Sequence, residues 1–219
     1  MPTTQSFTGL TLLPCDTISL TFTTPLTLTS AGSNVLKLYN GLLNTSNADV
    51  NNANDTLNVN MCTPYVGQFS INKNLPFSTT NFTSVTQAVN AMYSCGISGP
   101  VKLRIAAGTG PYNEQVTLTG VAPGANRTNT ITLTGGPTRE AITFNPSSAT
   151  AQHTIRLITT KHIILDSLTI NNTGTSFGVG VHLVTTADSN TVKNSNINIS
   201  LASTSFSNSA GIAISTNTS

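Results

Sequence analysis

Residues 153–200 repeat themselves, and that repeat constrains the fold more than any other feature of the chain. Ile155-Arg156-Leu157 returns as Val181-His182-Leu183 after 26 residues, and Leu165, Leu168 and Ile170 return as Val192, Ser195 and Ile197 after 27. Each unit holds several short apolar–polar alternations separated by Asn, Thr, Gly and Ser. A period in the twenties with several strands per unit predicts a solenoid in which each strand stacks on its counterpart one period away. Within each strand, alternate residues point inward and outward, so Ile155, Leu157, Val181 and Leu183 are expected inside and Arg156 and His182 outside.

Further units are expected on both sides. Ile131-Thr132-Leu133 and Ile212-Ala213-Ile214 are expected at the same strand position as Ile155-Arg156-Leu157. A second position takes Ile142-Thr143-Phe144, Ile163 to Leu165, and Thr191-Val192. A third takes Leu168-Thr169-Ile170 and Ile197-Asn198-Ile199. Asn171, Asn172, Asn194 and Asn196 are expected at turns, where amides bond from one unit to the next.

One helix precedes the repeat. In NFTSVTQAVNAMYSCG, residues Phe82, Val85, Ala88, Val89 and Met92 share a helical face, Asn81 or Thr80 is expected to cap the start, and Gly96 stands where a C-terminal glycine belongs. Such a helix suits the end of a strand stack, whose apolar interior and open edges need a cover.

The stretch after it, helix–CG–x–SGPV–strand–AAGTGPYNEQV, resembles the opening of pectin-lyase-like right-handed parallel β-helices, most closely those of secreted or cell-surface Bacteroidetes proteins. Pectinesterases share the pattern at Gly110, Tyr112, Glu114 and Val116. The resemblance covers roughly residues 67–219 and implies an all-β chain: a right-handed parallel β-helix with an N-terminal capping α-helix. In that family the glutamate of the motif is mainly structural, so Glu114 is expected to fix a turn.

Residues 1–66 differ. Two antiparallel strands are expected around a turn at Ser30-Ala31-Gly32-Ser33, with another strand from Thr56 to Met61. The glycine turn, the strand from Val35 to Leu38 and the Asn/Asp-rich loop from Asp49 to Asp55 resemble the second half of a CARDB-type Ig-like module. Three or four strands fall short of the about seven of a full sandwich, so the segment is partial. The expected organisation is therefore 1–66, an Ig-like segment, and 67–219, helix plus β-helix.

Composition narrows the function classes. Only 7% of residues are charged, and the net charge of +2 offers no basis for a nucleic-acid partner. Thr, Asn and Ser make up about 40% of the chain, a hydroxyl- and amide-rich surface that suits an extracellular β protein. No apolar run is long enough for membrane insertion. The first residues lack the charged and apolar regions of a signal peptide, so an export signal is expected outside this chain, and the closing STNTS carries no cap. Three cysteines fit no metal or redox spacing. A Cys62–Cys95 disulfide, tying the segment before the helix to its end, is the preferred pairing; it leaves Cys15 odd, and three buried thiols are the alternative.

Chemistry is sparse. The two aspartates, glutamine pair and arginine of pectinesterases have no counterpart. Pectate lyases combine acids with an arginine, and the nearest match is Arg156 and His182 at one outward position, with Asp166 and Asp188 22 residues apart. These four are the candidate ligand-binding residues, for a uronic acid; no catalytic set is assigned. His153, His162 and His182 share no metal-ligand spacing. Asp49, Asn51, Asn52, Asn54 and Asp55 offer oxygen ligands of the kind calcium takes, but without EF-hand spacing they read better as a solvated turn, and no cofactor is expected. Outward Thr132, Thr143 and Thr169 lack the regular ladder of ice-binding solenoids. Asp16-Thr17-Ile18, Asp55-Thr56-Leu57 and Asp166-Ser167-Leu168 resemble a Bacteroidetes O-glycosylation signal. The expectation is a non-catalytic structural or adhesive module that meets polysaccharide or cell-surface glycan and self-associates. The alternative is the N-terminal part of a polysaccharide lyase or pectinesterase-like enzyme.

Overall fold

The computed structural model describes residues 19, 21–23, 27–28, 30–39, 56–200 and 209–216. Cys15, most of the first expected strand and the Asp49–Asp55 loop lie outside them. In chain order the described elements are β1 (Gly32–Tyr39), β2 (Thr56–Thr63), β3 (Tyr65–Ile71), β4 (Asn81–Phe82), α1 (Val85–Cys95), β5 (Ile97–Ile105), β6 (Tyr112–Asn113), β7 (Val116–Thr119) and β8 (Ile131–Thr134). They continue with β9 (Ala141–Phe144), β10 (His153–Ile158), β11 (Ile163–Asp166), β12 (Thr169–Asn172), β13 (Gly178–Val184), β14 (Thr191–Lys193), β15 (Asn196–Ile199) and β16 (Ser209–Ser215). The chain is all-β in class, with α1 the one α-helix among the described residues.

β1 and β2 pair antiparallel, Gly32 opposite Thr63. The remaining strands form three parallel sheets, ordered β16-β13-β10-β7, β14-β11-β8-β5-β3-β4 and β15-β12-β9-β6. From β5 onward, neighbours in every sheet are three strands apart in sequence. Registers carry aliphatic columns through each sheet: Val116–Ile155–Val181–Ile212 in the first, Leu103–Leu133–Leu165–Val192 in the second, Tyr112–Ile142–Ile170–Ile197 in the third. All of these but Ile212 belong to or pack against one core, in which Ile155, Ile142, Ile170 and Leu103 are fully enclosed. Burial of such side chains at about 1.5–3 kcal/mol each is the main term holding the sheets together.

The 26- and 27-residue recurrences match the pairings: Arg156 sits opposite His182, Leu165 opposite Val192, and Ile170 opposite Ile197. The extrapolation to earlier strands needs correcting. Ile131 pairs with Ile163 and Val101, not with Ile155, whose partner is Val116. Likewise Ile142 pairs with Ile170, not with the Ile163 strand. Short 3-10 turns at Gly136–Thr138 and Ala149–Ala151 lengthen this stretch, so equal spacing misplaces strands by one sheet.

Bends between strands recur with the same period. Thr159 and Thr185, His162 and Ser189, and Ser167 and Asn194 all take left-handed conformations, with φ between 51° and 66°. Asn tolerates that region, whereas a β-branched Thr adopts it against a steric cost.

α1 begins at Ser84 rather than at Asn81 or Thr80, because Asn81 and Phe82 pair as a strand with β3. Ser84 Oγ accepts from Gln87 N–H at 3.0 Å, and Gln87 Oε1 accepts from Thr83 N–H at 2.8 Å, a reciprocal cap one residue wider than the usual box. Gly96 closes the helix at φ 73°. Val85, Ala88, Val89 and Met92 are buried in the common core. A Cys62–Cys95 disulfide joins β2 to the last residue of α1, with Cα atoms 5.0 Å apart.

Candidate functional site

Arg156 and His182 face each other on neighbouring strands β10 and β13, away from Ile155 and Leu157. His182 is only 5% exposed, and its Nε2 lies 3.0 Å from Ser215 Oγ on β16. A third basic group joins them. The pairing of β10 with β13 leaves out Thr154 and Gly180, and that of β13 with β16 leaves out Gly180 and Gly211, while the register is unchanged on either side, so three strands share a local irregularity at this level. Thr154 turns inward, its hydroxyl donating to Asn171 O and accepting from Asn172 Nδ2. His153 lies on the Arg156 face, with Nε2 3.1 Å from the hydroxyl of Thr117, the β7 neighbour of Arg156.

Simple alternation places His153 inside with Ile155, and the irregularity at Thr154 that reverses it has no mark in the sequence beyond Gly180 and Gly211 on the neighbouring strands. Burial, reinforced by the charge of Arg156 and by His182, pushes the His153 pKa down to about 4. Burial and Arg156 also lower that of His182. Both imidazoles are therefore neutral at pH 7. A hydroxyl beside an imidazole is the geometry of a nucleophile and its base, but such a pair needs a third group to orient the ring.

No carboxylate takes that part, because all four among the described residues are engaged elsewhere. Asp166, on β11, accepts from Asn194 Nδ2 at 2.9 Å and from the Ser167 hydroxyl, and lies 3.7 Å from Lys193 Nζ. Those contacts, Asn194 foremost, hold its pKa below the usual range. Asp188 lies in the turn after β13, bound to Lys161 at 2.9 Å, which lowers its pKa in the same sense. Thus the two candidate aspartates meet neither each other nor the Arg156–His182 pair.

Glu114 accepts the backbone N–H groups of Val85 at 3.0 Å and Thr86 at 2.8 Å, capping α1 from a loop 28 and 29 residues away. Glu140 accepts from Gly108 N–H, Gly110 N–H and the Thr138 hydroxyl; burial opposes its ionisation, but these donors hold its pKa below the usual range. Among the described residues no group of three His, Cys, Asp or Glu side chains lies together as metal ligands.

A second basic feature stands on the outer face of the six-stranded sheet. Val101, Leu103 and Ile105 turn inward on β5, leaving Lys102 and Arg104 exposed. The row through Arg104 runs Ser70–Arg104–Thr134–Asp166–Lys193 across five strands. A hollow of about 300 Å³ opens beside Arg104, lined by Gln68, Ser70, Ala106 and Ala107. The β5 alternation foretold the outward direction of Lys102 and Arg104, but only the register brings Lys193 into their row. The third sheet carries an amide chain instead: Asn198 Nδ2 donates to Asn171 Oδ1 at 2.9 Å, and Asn171 Nδ2 donates to Thr143 Oγ1 at 3.3 Å.

Comparison with protein-family models, with curated proteins and with solved structures finds no match to this chain.

Proposed function

We propose that the three parallel sheets are the walls of a right-handed parallel β-helix of the pectin-lyase-like kind, capped at one end by α1 and preceded in residues 1–66 by a partial Ig-like segment. The proposed role is that of a secreted or cell-surface structural and adhesive module, a stalk or filament element that binds glycan and performs no catalysis. The every-third-strand order and the in-register aliphatic columns support the architecture.

The engagement of all four described carboxylates carries the non-catalytic reading. Glycoside hydrolysis needs two carboxylates facing one bond across a few ångströms, and uronate elimination needs a free base at the sugar. Here each acid caps a helix, ties a loop or pairs with a lysine. Self-association through β16, whose Ile212 and Ile214 are 48% and 80% exposed, is part of the same proposal.

Glycan-array binding with the purified chain, run beside incubation with pectin and alginate, tests this. The expected result is retention on one or more polysaccharides without unsaturated uronate or methanol release. Release of either product, abolished by His182→Gln, would instead establish the lyase or esterase reading, which the His153–Thr117 and His182–Ser215 pairs favour.

A further inference from the structure

We propose that β2 is a dimerisation strand: two copies of this chain pair their β2 edges antiparallel about a two-fold axis at Val59, joining two ribbons into one four-stranded sheet. The inference stands apart from the glycan reading and from assembly through β16; it rests on the β1–β2 ribbon.

The ribbon has an edge to spare. Among the described residues β1 and β2 form a two-stranded sheet, so the side of β2 away from β1 presents main-chain donors and acceptors with no strand beside them. An edge of this kind pairs with another chain unless a charge, a proline or a bulge guards it. β2 reads TLNVNMCT, has no charge or proline, and keeps an unbroken register with β1. β1 carries Lys37, so the two edges differ and β2 is the unguarded one. A two-stranded ribbon alone is at the margin of stability, and two further strands relieve that.

The order of residues fits β2 to itself. Leu57-Asn58-Val59-Asn60-Met61 reads apolar, amide, apolar, amide, apolar in both directions. Antiparallel pairing centred on Val59 sets Val59 opposite its own copy, Leu57 opposite Met61 and Asn58 opposite Asn60. Opposed residues share a face, so one face gathers Leu57, Val59 and Met61 of both copies and the other gathers the asparagines as amide pairs. No charge meets a like charge. A slip of one residue would set Val59 opposite Asn60 and Met61 opposite Asn58, so the pattern specifies the register.

β1 extends the apolar stripe. Leu36 lies opposite Val59, and the central row of the four strands becomes Leu36–Val59–Val59–Leu36. Leu57 and Val59 are 59% and 36% exposed in the single chain, which leaves apolar surface for the second copy to bury. The Cys62–Cys95 bridge anchors the end of β2 to α1 and holds the ribbon in place. Pairing over residues 57–61 buries less than the about 1,200 Å² of a stable complex, so the dimer is weak and concentration-dependent.

The test is sedimentation velocity of the full chain from micromolar to millimolar concentration. Every protein carries Ile214→Lys, which silences β16, and Cys15→Ser, which removes the odd thiol. The expected result is a weight-average mass rising from that of one chain toward that of two. Val59→Lys sets two ammonium groups opposite each other on the axis and should weaken the dimer at least tenfold, with an unchanged far-UV spectrum. A short bismaleimide should link Val59→Cys into a dimer and leave Val35→Cys, on β1 and 62% exposed in the native chain, unlinked at the same concentration. Association within twofold in Val59→Lys overturns the proposal, as does equal linking of the two cysteine variants. A single-chain mass at millimolar concentration overturns it too; association that then appears only when Ile214 is restored belongs to β16.

Discussion

Acidification should unfold this protein through His153 before it does so through the carboxylates. His153 is 4% exposed and its pKa falls from an ordinary 6.5 to about 4, burial being the main cause. The folded state therefore prefers the neutral ring, and the unfolded chain takes up the proton first. Stability from this group is fully present above pH 6.5 and is lost as pH falls from 6.5 toward 4. At 1.36 kcal/mol per pKa unit the loss is about 2 kcal/mol by pH 5 and about 3 kcal/mol by pH 4.

The groups facing the ring are Arg156, His182 and the Thr117 hydroxyl. His182, also depressed, adds loss in the same direction. Asp166, Asp188 and Glu140 are held below their ordinary values of 3.8, 3.8 and 4.5, so their contributions are intact at pH 6 and are lost as pH falls through and below those values, Glu140 overlapping only the acid end of the His153 window. Urea unfolding at pH 7, 6, 5 and 4, on wild type and His153→Gln, separates these terms. The wild-type midpoint should fall by roughly 1 M between pH 7 and 5, and the variant's should fall by much less. Parallel midpoint curves for the two proteins would refute the reasoning.

Three further outcomes are expected. Glu114→Ala removes both acceptors at the start of α1 and should cost about 2 kcal/mol, a Tm drop of about 4–8 °C with far-UV loss confined to the helical signal; an unchanged Tm would show that water replaces the carboxylate. Cys62→Ser opens a covalent loop spanning 33 residues and should cost about 4 kcal/mol by loop-closure entropy; calorimetry within 1 °C of wild type would show that the loop stays ordered without it. Thr185→Asn relieves a β-branched residue held at φ 58° and should raise stability by about 1 kcal/mol in chemical denaturation, whereas a loss would mean the threonine has a compensating contact.

What could be seen in the sequence followed from how strictly each stretch kept its period. β10 to β15 keep 26 or 27 residues between counterparts, so Arg156–His182 and Leu165–Val192 emerged as neighbours from spacing alone. β8 and β9 do not, because the turns at Gly136–Thr138 and Ala149–Ala151 consume extra residues; a spacing of 24 from Ile131 to Ile155 mimicked the period by accident. The expected cap at Asn81 or Thr80 gives way to Ser84, because β4 takes Asn81 into a strand; the Ser84 and Gln87 pair three residues apart was the sequence signal that marked the start. His153 was hidden for a different reason. Strict alternation carries no information about a local irregularity, and at Thr154 two successive side chains turn inward and leave His153 on the other face. The row through Arg104 was half visible: alternation gives direction, whereas the row depends on which strands are neighbours.

The side-chain bonds between units also determine which length changes this chain can accept. Asn190 Oδ1 accepts from Ile163 N–H 27 residues back, Ser195 Oγ accepts from Leu168 N–H 27 back, Asn194 reaches Asp166 28 back, and Asn198 reaches Asn171 27 back. Deleting one residue between Asn171 and Ser195 slips those donors past their acceptors and turns the aliphatic positions beyond it outward. In the β-helix proposed above, removing or duplicating one whole turn would re-form the same bonds one level lower or higher. On that architecture, changes of length are tolerated in steps of a whole turn and resisted one residue at a time.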